Sequence, residues 1–191
     1  MKILFIGGSP RVDGNSDLLL RKCAAGAREQ GAEADIVFAR DLRVAGCNEC
    51  YACEKDGQCC LKDDMQVLYG KYAEMDALVV VTPVFFYGVP AQLKAVIDRT
   101  QCCWERKYML HEKSGKLKKG ALITVGATRG DKLSECPSLT AKYYFDALEV
   151  EYLENLFVKK VDKKGEILTR PDELERAYQL GSRMAEQKNG V

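Results

Sequence analysis

Lys2-Ile3-Leu4-Phe5-Ile6-Gly7-Gly8-Ser9-Pro10-Arg11-Val12-Asp13-Gly14-Asn15-Ser16 opens the chain with a short apolar run, a glycine pair and a polar turn. The run from Lys2 to Gly7 predicts a strand. From Ser16 to Gln30 apolar residues recur at helical spacing (Leu18, Leu19, Cys23, Ala27), and Gly31 closes the segment. The same strand–turn–helix alternation continues outward. Ala34 to Ala39 reads as a second strand. Ala77 to Thr82 is continuously apolar and rich in β-branched residues, as expected of a strand buried on both faces of a parallel sheet, and Pro83 ends it. Helices are expected from Asp63 to about Met75, Ala91 to Cys102, Ser138 to Val150 and Asp172 to Gln187. The remaining strands are Gly120 to Gly126 and Tyr152 to Val161. Asp63 reads as an N-cap, with Gln66 three residues later completing a capping box. Strands alternating with helices predict an α/β fold with a parallel sheet covered on both faces. Right-handed crossovers reduce the topologies to few, and a doubly wound five-stranded sheet of order 2-1-3-4-5 is expected. Its ligands belong at the carboxyl ends of the strands, near the switch point.

The 191 residues suit one domain, 1–191, with a cysteine-rich loop at 41–62. Lys plus Arg number 29 against 28 Asp plus Glu, a formal charge of +1. So even a balance gives no reason to expect nucleic acid or an anionic membrane as partner. No stretch reaches transmembrane length, and the first apolar run is too short for a signal-peptide core, so a cytoplasmic protein is expected. There, nine cysteines point to metal binding or redox chemistry more than to a disulfide framework.

The turn after the first strand leads into a helix N-terminus, where free backbone N–H groups and the positive dipole end suit an anion. Ser9, Asn15 and Ser16 supply hydroxyl and amide donors, Arg11 a guanidinium, and Gly14 permits close backbone approach. The Gly-Lys-Ser/Thr ending of a nucleoside triphosphate loop is missing, as is the Gly-x-Gly-x-x-Gly of a dinucleotide loop, so a monophosphate is favoured.

With its Gly-Ser-x-Arg…Asn-Ser loop, the sequence resembles the NAD(P)H-dependent FMN reductase and flavodoxin-like families. The resemblance continues through Thr82-Pro83-Val84-Phe85-Phe86-Tyr87-Gly88-Val89-Pro90-Ala91-Gln92-Leu93-Lys94 and Ile97-Asp98-Arg99. It implies a flavodoxin-like fold and an FMN whose phosphate sits on the first loop. It also implies that Pro83, Val84, Phe85, Phe86, Tyr87 and Gly88 embrace the flavin ring. The aromatic side chains there can furnish a wall for the ring or belong to the core. Gly126, Thr128 and Gly130, after the fourth strand, form a third loop small enough for close approach. Arg129 reads as solvated.

Cys47, Cys50, Cys53 and Cys59 are spaced Cys-x2-Cys-x2-Cys-x5-Cys, with Cys60 adjoining. This compact run suits a [4Fe–4S] cubane. Structural zinc prefers separated Cys-x-x-Cys pairs or His partners, and the sole histidine is the distant His111. The motif resembles that of iron–sulfur flavoproteins, which implies Cys47, Cys50, Cys53 and Cys59 as metal ligands, with Cys60 in range to replace Cys59. Cys23 and the Cys102-Cys103 pair read as core, Cys136 as open, His111 as exposed, and Lys113 to Lys119 as a solvated connection.

FMN and a cubane together would convert between two-electron and one-electron partners, with NAD(P)H or ferredoxin as redox partner and no dedicated acid or base. The resemblance further implies a homodimer or homotetramer. One alternative is an NAD(P)H-dependent FMN or quinone reductase without a cluster. Another, of a different class, is a zinc-stabilised interaction module.

Overall fold

The computed structural model describes residues 1–186. Five parallel strands, β1 (Lys2–Gly7), β2 (Glu33–Phe38), β3 (Ala77–Pro83), β4 (Lys118–Gly126) and β5 (Val150–Lys159), lie in the order β2-β1-β3-β4-β5. The expected topology is therefore present. Alternate residues of β1 feed opposite cores, as the period of a strand requires. Ile3 and Phe5 pack on the side of α1 (Asn15–Glu29) and α6 (Pro171–Ala185). Leu4 and Ile6 pack on the side of α2 (Met65–Glu74), α3 (Ala91–Asp98) and α5 (Glu135–Ala147). The α1–α6 crossing is close because glycines face backbone. A Cβ on Gly26 would lie 2.1 Å from the Tyr178 carbonyl oxygen, and one on Gly181 only 1.8 Å from that of Cys23.

Four expectations are corrected. The helix expected from Ala91 to Cys102 is two helices, α3 and α4 (Gln101–Tyr108), making six α-helices among the described residues. At the break the Thr100 hydroxyl and amide both donate to the Ile97 carbonyl, at 2.6 and 2.9 Å, tightening the turn. The capping box does not form: Asp64, not Asp63, stands at the N-cap of α2, and it makes no side-chain cap bond. Asp63 Oδ1 accepts from the Met65 amide at 3.1 Å, but Gln66 Nε2 donates to the Leu61 carbonyl (2.8 Å) instead of reaching back. Lys118, expected in a solvated stretch, is buried at the start of β4, its ammonium donating to the Leu148 carbonyl at 3.2 Å. Elements also shift at their ends: α5 begins at Glu135 and stops before Val150, which joins β5. The expected last residue of the terminal helix, Gln187, lies outside the described residues.

Candidate functional site

The carboxyl ends of β1, β3 and β4 frame a cavity of about 260 Å³ that brings Ser9, Arg11, Gly14, Asn15 and Ser16 against Pro83, Val84 and Phe85. The first ladder bond of α1 runs from Leu18 N to Gly14 O at 3.1 Å. The amides of Asn15 and Ser16 precede that ladder, at the positive end of the helix, and both residues line the cavity. The polar side chains largely hold the loop in shape. Ser9 Oγ accepts from the Arg11 amide at 3.1 Å, and Arg11 Nη1 donates to the Asp162 carbonyl at 3.0 Å. Asn15 latches the chain after β5: its Nδ2 donates to the Lys163 carbonyl (2.9 Å) and its Oδ1 accepts from the Ile167 amide (3.2 Å). Val161 and Asp162 thereby join the wall, a contribution that sequence reading missed because these residues carry no motif.

Beneath the loop lies an ion pair also missed from sequence. Asp17 is fully buried and faces Arg40, with Nη2–Oδ2 at 2.9 Å and Nη1–Oδ1 at 3.0 Å. Arg40 Nη1 also donates to the Ser9 carbonyl (2.9 Å), and Asp17 Oδ2 accepts from the Asp13 amide (2.9 Å). The pair therefore braces the loop on both sides. The guanidinium stacks on Phe38, 4.2 Å from the ring centroid.

Phe85-Phe86-Tyr87-Gly88 is a tight hairpin turn, closed by Phe85 N to Gly88 O (3.0 Å) and Gly88 N to Phe85 O (2.8 Å). Both central residues are left-handed, with φ of 49° at Phe86 and 62° at Tyr87. Asn-Gly is the usual solution for such a turn, and a bulky residue held there stores strain. All three aromatic rings are outside the core, and Phe86 is fully exposed. The Tyr87 hydroxyl reaches the third loop, 3.7 Å from where a Cβ on Gly130 would stand. Phe86, Tyr87, Gly88, Gly126, Thr128 and Gly130 do not line the 260 Å³ cavity itself, which has Ala127 from the third loop.

The cysteine loop closes on a separate small cavity of about 20 Å³, lined by Cys47, Cys50, Cys53, Cys59, Cys60 and Cys102. All the sequence-predicted ligands are thus brought together. Cys102, buried as expected of a core residue, also belongs to this ring of thiols. Cys50 and Cys60 are in sulfur contact at 3.5 Å. The Ala52 amide and the Cys60 thiol lower the Cys50 pKa, while donation to Cys50 raises that of Cys60. Burial pushes the Cys53 thiol up. The neighbouring Cys103 thiol, helped by the Tyr69 hydroxyl and by Arg106 and Arg99, brings Cys102 down to about 6. Among the described residues no three His, Cys, Asp or Glu side chains stand in the geometry of a metal site. Cys23 is buried in the core, while Cys136 and His111 are exposed.

Solved structures share this architecture. A NAD(P)H:quinone oxidoreductase from Methanothermobacter marburgensis superposes with a TM-score of 0.75 over 100% of this chain and 99% of its own, at 17% identity. A flavodoxin from the domain Archaea superposes with a TM-score of 0.58 over 97% and 96%, at 15% identity. In sequence, the chain is 37% identical over 129 residues to an iron-sulfur flavoprotein of Methanosarcina thermophila, covering 68% of this chain and 65% of that protein. It is 28% identical over 186 residues to an iron-sulfur flavoprotein of Archaeoglobus fulgidus, covering 97% of this chain and 80% of that one. The match thus spans just under two thirds of the Methanosarcina relative. The family model for NADPH-dependent FMN reductase matches residues 1–151, which include the phosphate-type loop, the aromatic hairpin and the cysteine ring. The chain belongs to the NADPH-dependent FMN reductase family.

Proposed function

We propose that this chain is an FMN-dependent electron-transfer oxidoreductase of the iron–sulfur flavoprotein kind, with NAD(P)H or ferredoxin as its redox partner. The observation that carries the reading is the cavity joining the helix-start amides of Asn15 and Ser16 to the Pro83–Phe85 segment. An FMN phosphate fits the first and its ring the second. Ser16 and Arg11 add donors, and Asn15 and the Asp17–Arg40 pair keep the loop in register. The exposed, strained hairpin suits a wall that folds over a flat apolar ring, since the left-handed turn places aromatic surface where water otherwise meets it.

The thiol ring fits a cubane by donor type and by charge. Its soft sulfurs suit iron–sulfur ligation, and the buried Arg99 guanidinium in the same wall offsets negative charge. Cys47, Cys50, Cys53 and Cys59 would hold the cluster after the loop widens. When bound, FMN exchanges electrons in pairs or singly and the cubane one at a time. The protein binds and orients the two and shields them from water. No side chain is assigned proton transfer. A homodimer or homotetramer in the cytoplasm, without nucleic-acid or membrane partners, belongs to the same reading. No helix among the described residues is long and apolar enough to cross a membrane.

Anaerobic purification with flavin, iron and sulfide assays tests the proposal. Stoichiometric FMN with about four irons per chain is expected for a cubane. The family match supports a second reading, a quinone or FMN reductase fed by NAD(P)H and free of cluster. Flavin without iron would select it. A colourless protein that binds zinc but not FMN would refute both.

A further inference from the structure

Arg99 heads the largest fully buried side chains among the described residues, at 1% exposure. Its guanidinium reaches both ends of the cysteine loop. Nη1 donates to the Ala45 carbonyl at 2.9 Å and to Asp63 Oδ2 at 2.6 Å, and Nη2 donates to the Leu61 carbonyl at 3.4 Å. The third nitrogen, Nε, is buried and has no hydrogen-bond partner. A charged donor stripped of water and left unpaired is unfavourable, so its persistence calls for an acceptor. The same residue lines the cavity that the thiols share, and thiolate sulfurs are the acceptors at hand. Cys59 and Cys60 differ in this setting. Cys59 is half-buried and shares with the guanidinium the wall of the small cavity. Cys60 is exposed and leans on Cys50.

We propose that Arg99 is the positioning residue of the thiol ring: it clamps the loop at Ala45 and Leu61 and offers Nε–H on the Cys59 side. By this it selects Cys59 over Cys60 as the fourth thiolate. The inference rests on the reading that these thiols hold a cluster, but the clamp itself does not.

Hydrogen–deuterium exchange on the metal-free, FMN-bound protein tests the clamp in Arg99→Gln and Arg99→Lys. Amides of residues 45–61 should exchange about tenfold faster or more, the equivalent of one charge-assisted bond lost. Unchanged protection there overturns the clamp. Anaerobic reconstitution with iron and sulfide tests the selection in Cys59→Ser and Cys60→Ser. Loss of iron in Cys59→Ser with retention in Cys60→Ser is expected, and the reverse pattern refutes it. A wild-type chain that takes up no iron defeats the cluster reading, while the exchange experiment still judges the clamp. If Arg99→Gln no longer binds FMN it has misfolded, and the serine pair decides.

Discussion

Replacing Arg40 by alanine removes one half of a buried pair and leaves the other half without a counterion. The Asp17 side chain is 0% exposed and that of Arg40 is 9% exposed. Arg40→Ala deletes the contacts at 2.9 and 3.0 Å to Asp17 and the bond to the Ser9 carbonyl. Breaking a buried ion pair from one side destabilises by about 3–5 kcal/mol, because the remaining charge stays desolvated. Against a typical stability of about 5–15 kcal/mol that is a large share. At roughly 2–4 °C per kcal/mol for a chain of this size, Tm should fall by about 6–20 °C. The double variant Asp17→Asn/Arg40→Met removes both charges while keeping bulk. It should recover to within about 1–2 kcal/mol of wild type, since a buried pair is often replaceable as a unit. Urea and thermal unfolding of the apoprotein, followed by circular dichroism, give both numbers. FMN titration of the same proteins should show weaker binding in the single variant, whose loop has lost its brace at Ser9. If the single variant loses less than about 1 kcal/mol, or the double fares no better than the single, the brace is not what holds this loop.

Further expectations concern other parts of the molecule. Changing Phe86→Asn together with Tyr87→Gly relieves two left-handed aromatic residues, so the apoprotein should gain about 1–3 kcal/mol in thermal unfolding while FMN affinity falls. Gly181→Ala forces a Cβ against the Cys23 carbonyl, and urea unfolding should show a loss of at least about 1–3 kcal/mol as α6 is pushed off α1. Burial alone would raise the Asp63 carboxyl, but Arg99 and the amides of Ala45 and Met65 hold it below its ordinary 3.8. A carboxylate lowered on folding stabilises above its unfolded pKa and ceases to as pH falls through the folded value. Loop protection at 45–61, read by hydrogen exchange, should therefore weaken below about pH 4, and Asp63→Asn should remove that pH dependence. Cys50→Ser should abolish iron uptake yet leave FMN bound, and a full cluster in that variant would refute the ligand assignment.

The sheet was legible because its signals are local. Ala77 to Thr82 can scarcely be anything but a doubly buried strand, and the turn from Gly7 to Ser16 joins a strand to a helix. What escaped depends on contacts between distant residues. Arg99 reads in sequence as one more residue of a helix, yet its side-chain bonds reach Ala45 and Asp63, 54 and 36 positions away. Asp17 reads in sequence as an ordinary acidic residue in a first helical turn, and only the fold sets Arg40 against it. Asn15 has the composition of a phosphate donor, yet its amide is engaged by Lys163 and Ile167 at the far end of the chain. The hairpin was legible as an aromatic loop but not as a tight turn, since two aromatic residues in left-handed positions contradict local preference.

In the proposed function the loop after β1 receives a single phosphate, and the attached flavin rests against the Pro83–Gly88 hairpin. Equilibrium titration of the apoprotein with FMN and, in parallel, riboflavin isolates that phosphate. One FMN per chain is predicted, with riboflavin weaker by about 100-fold or more, as loss of two charge-assisted bonds requires. Equal affinity for the two flavins, or no saturable binding of either, would contradict it.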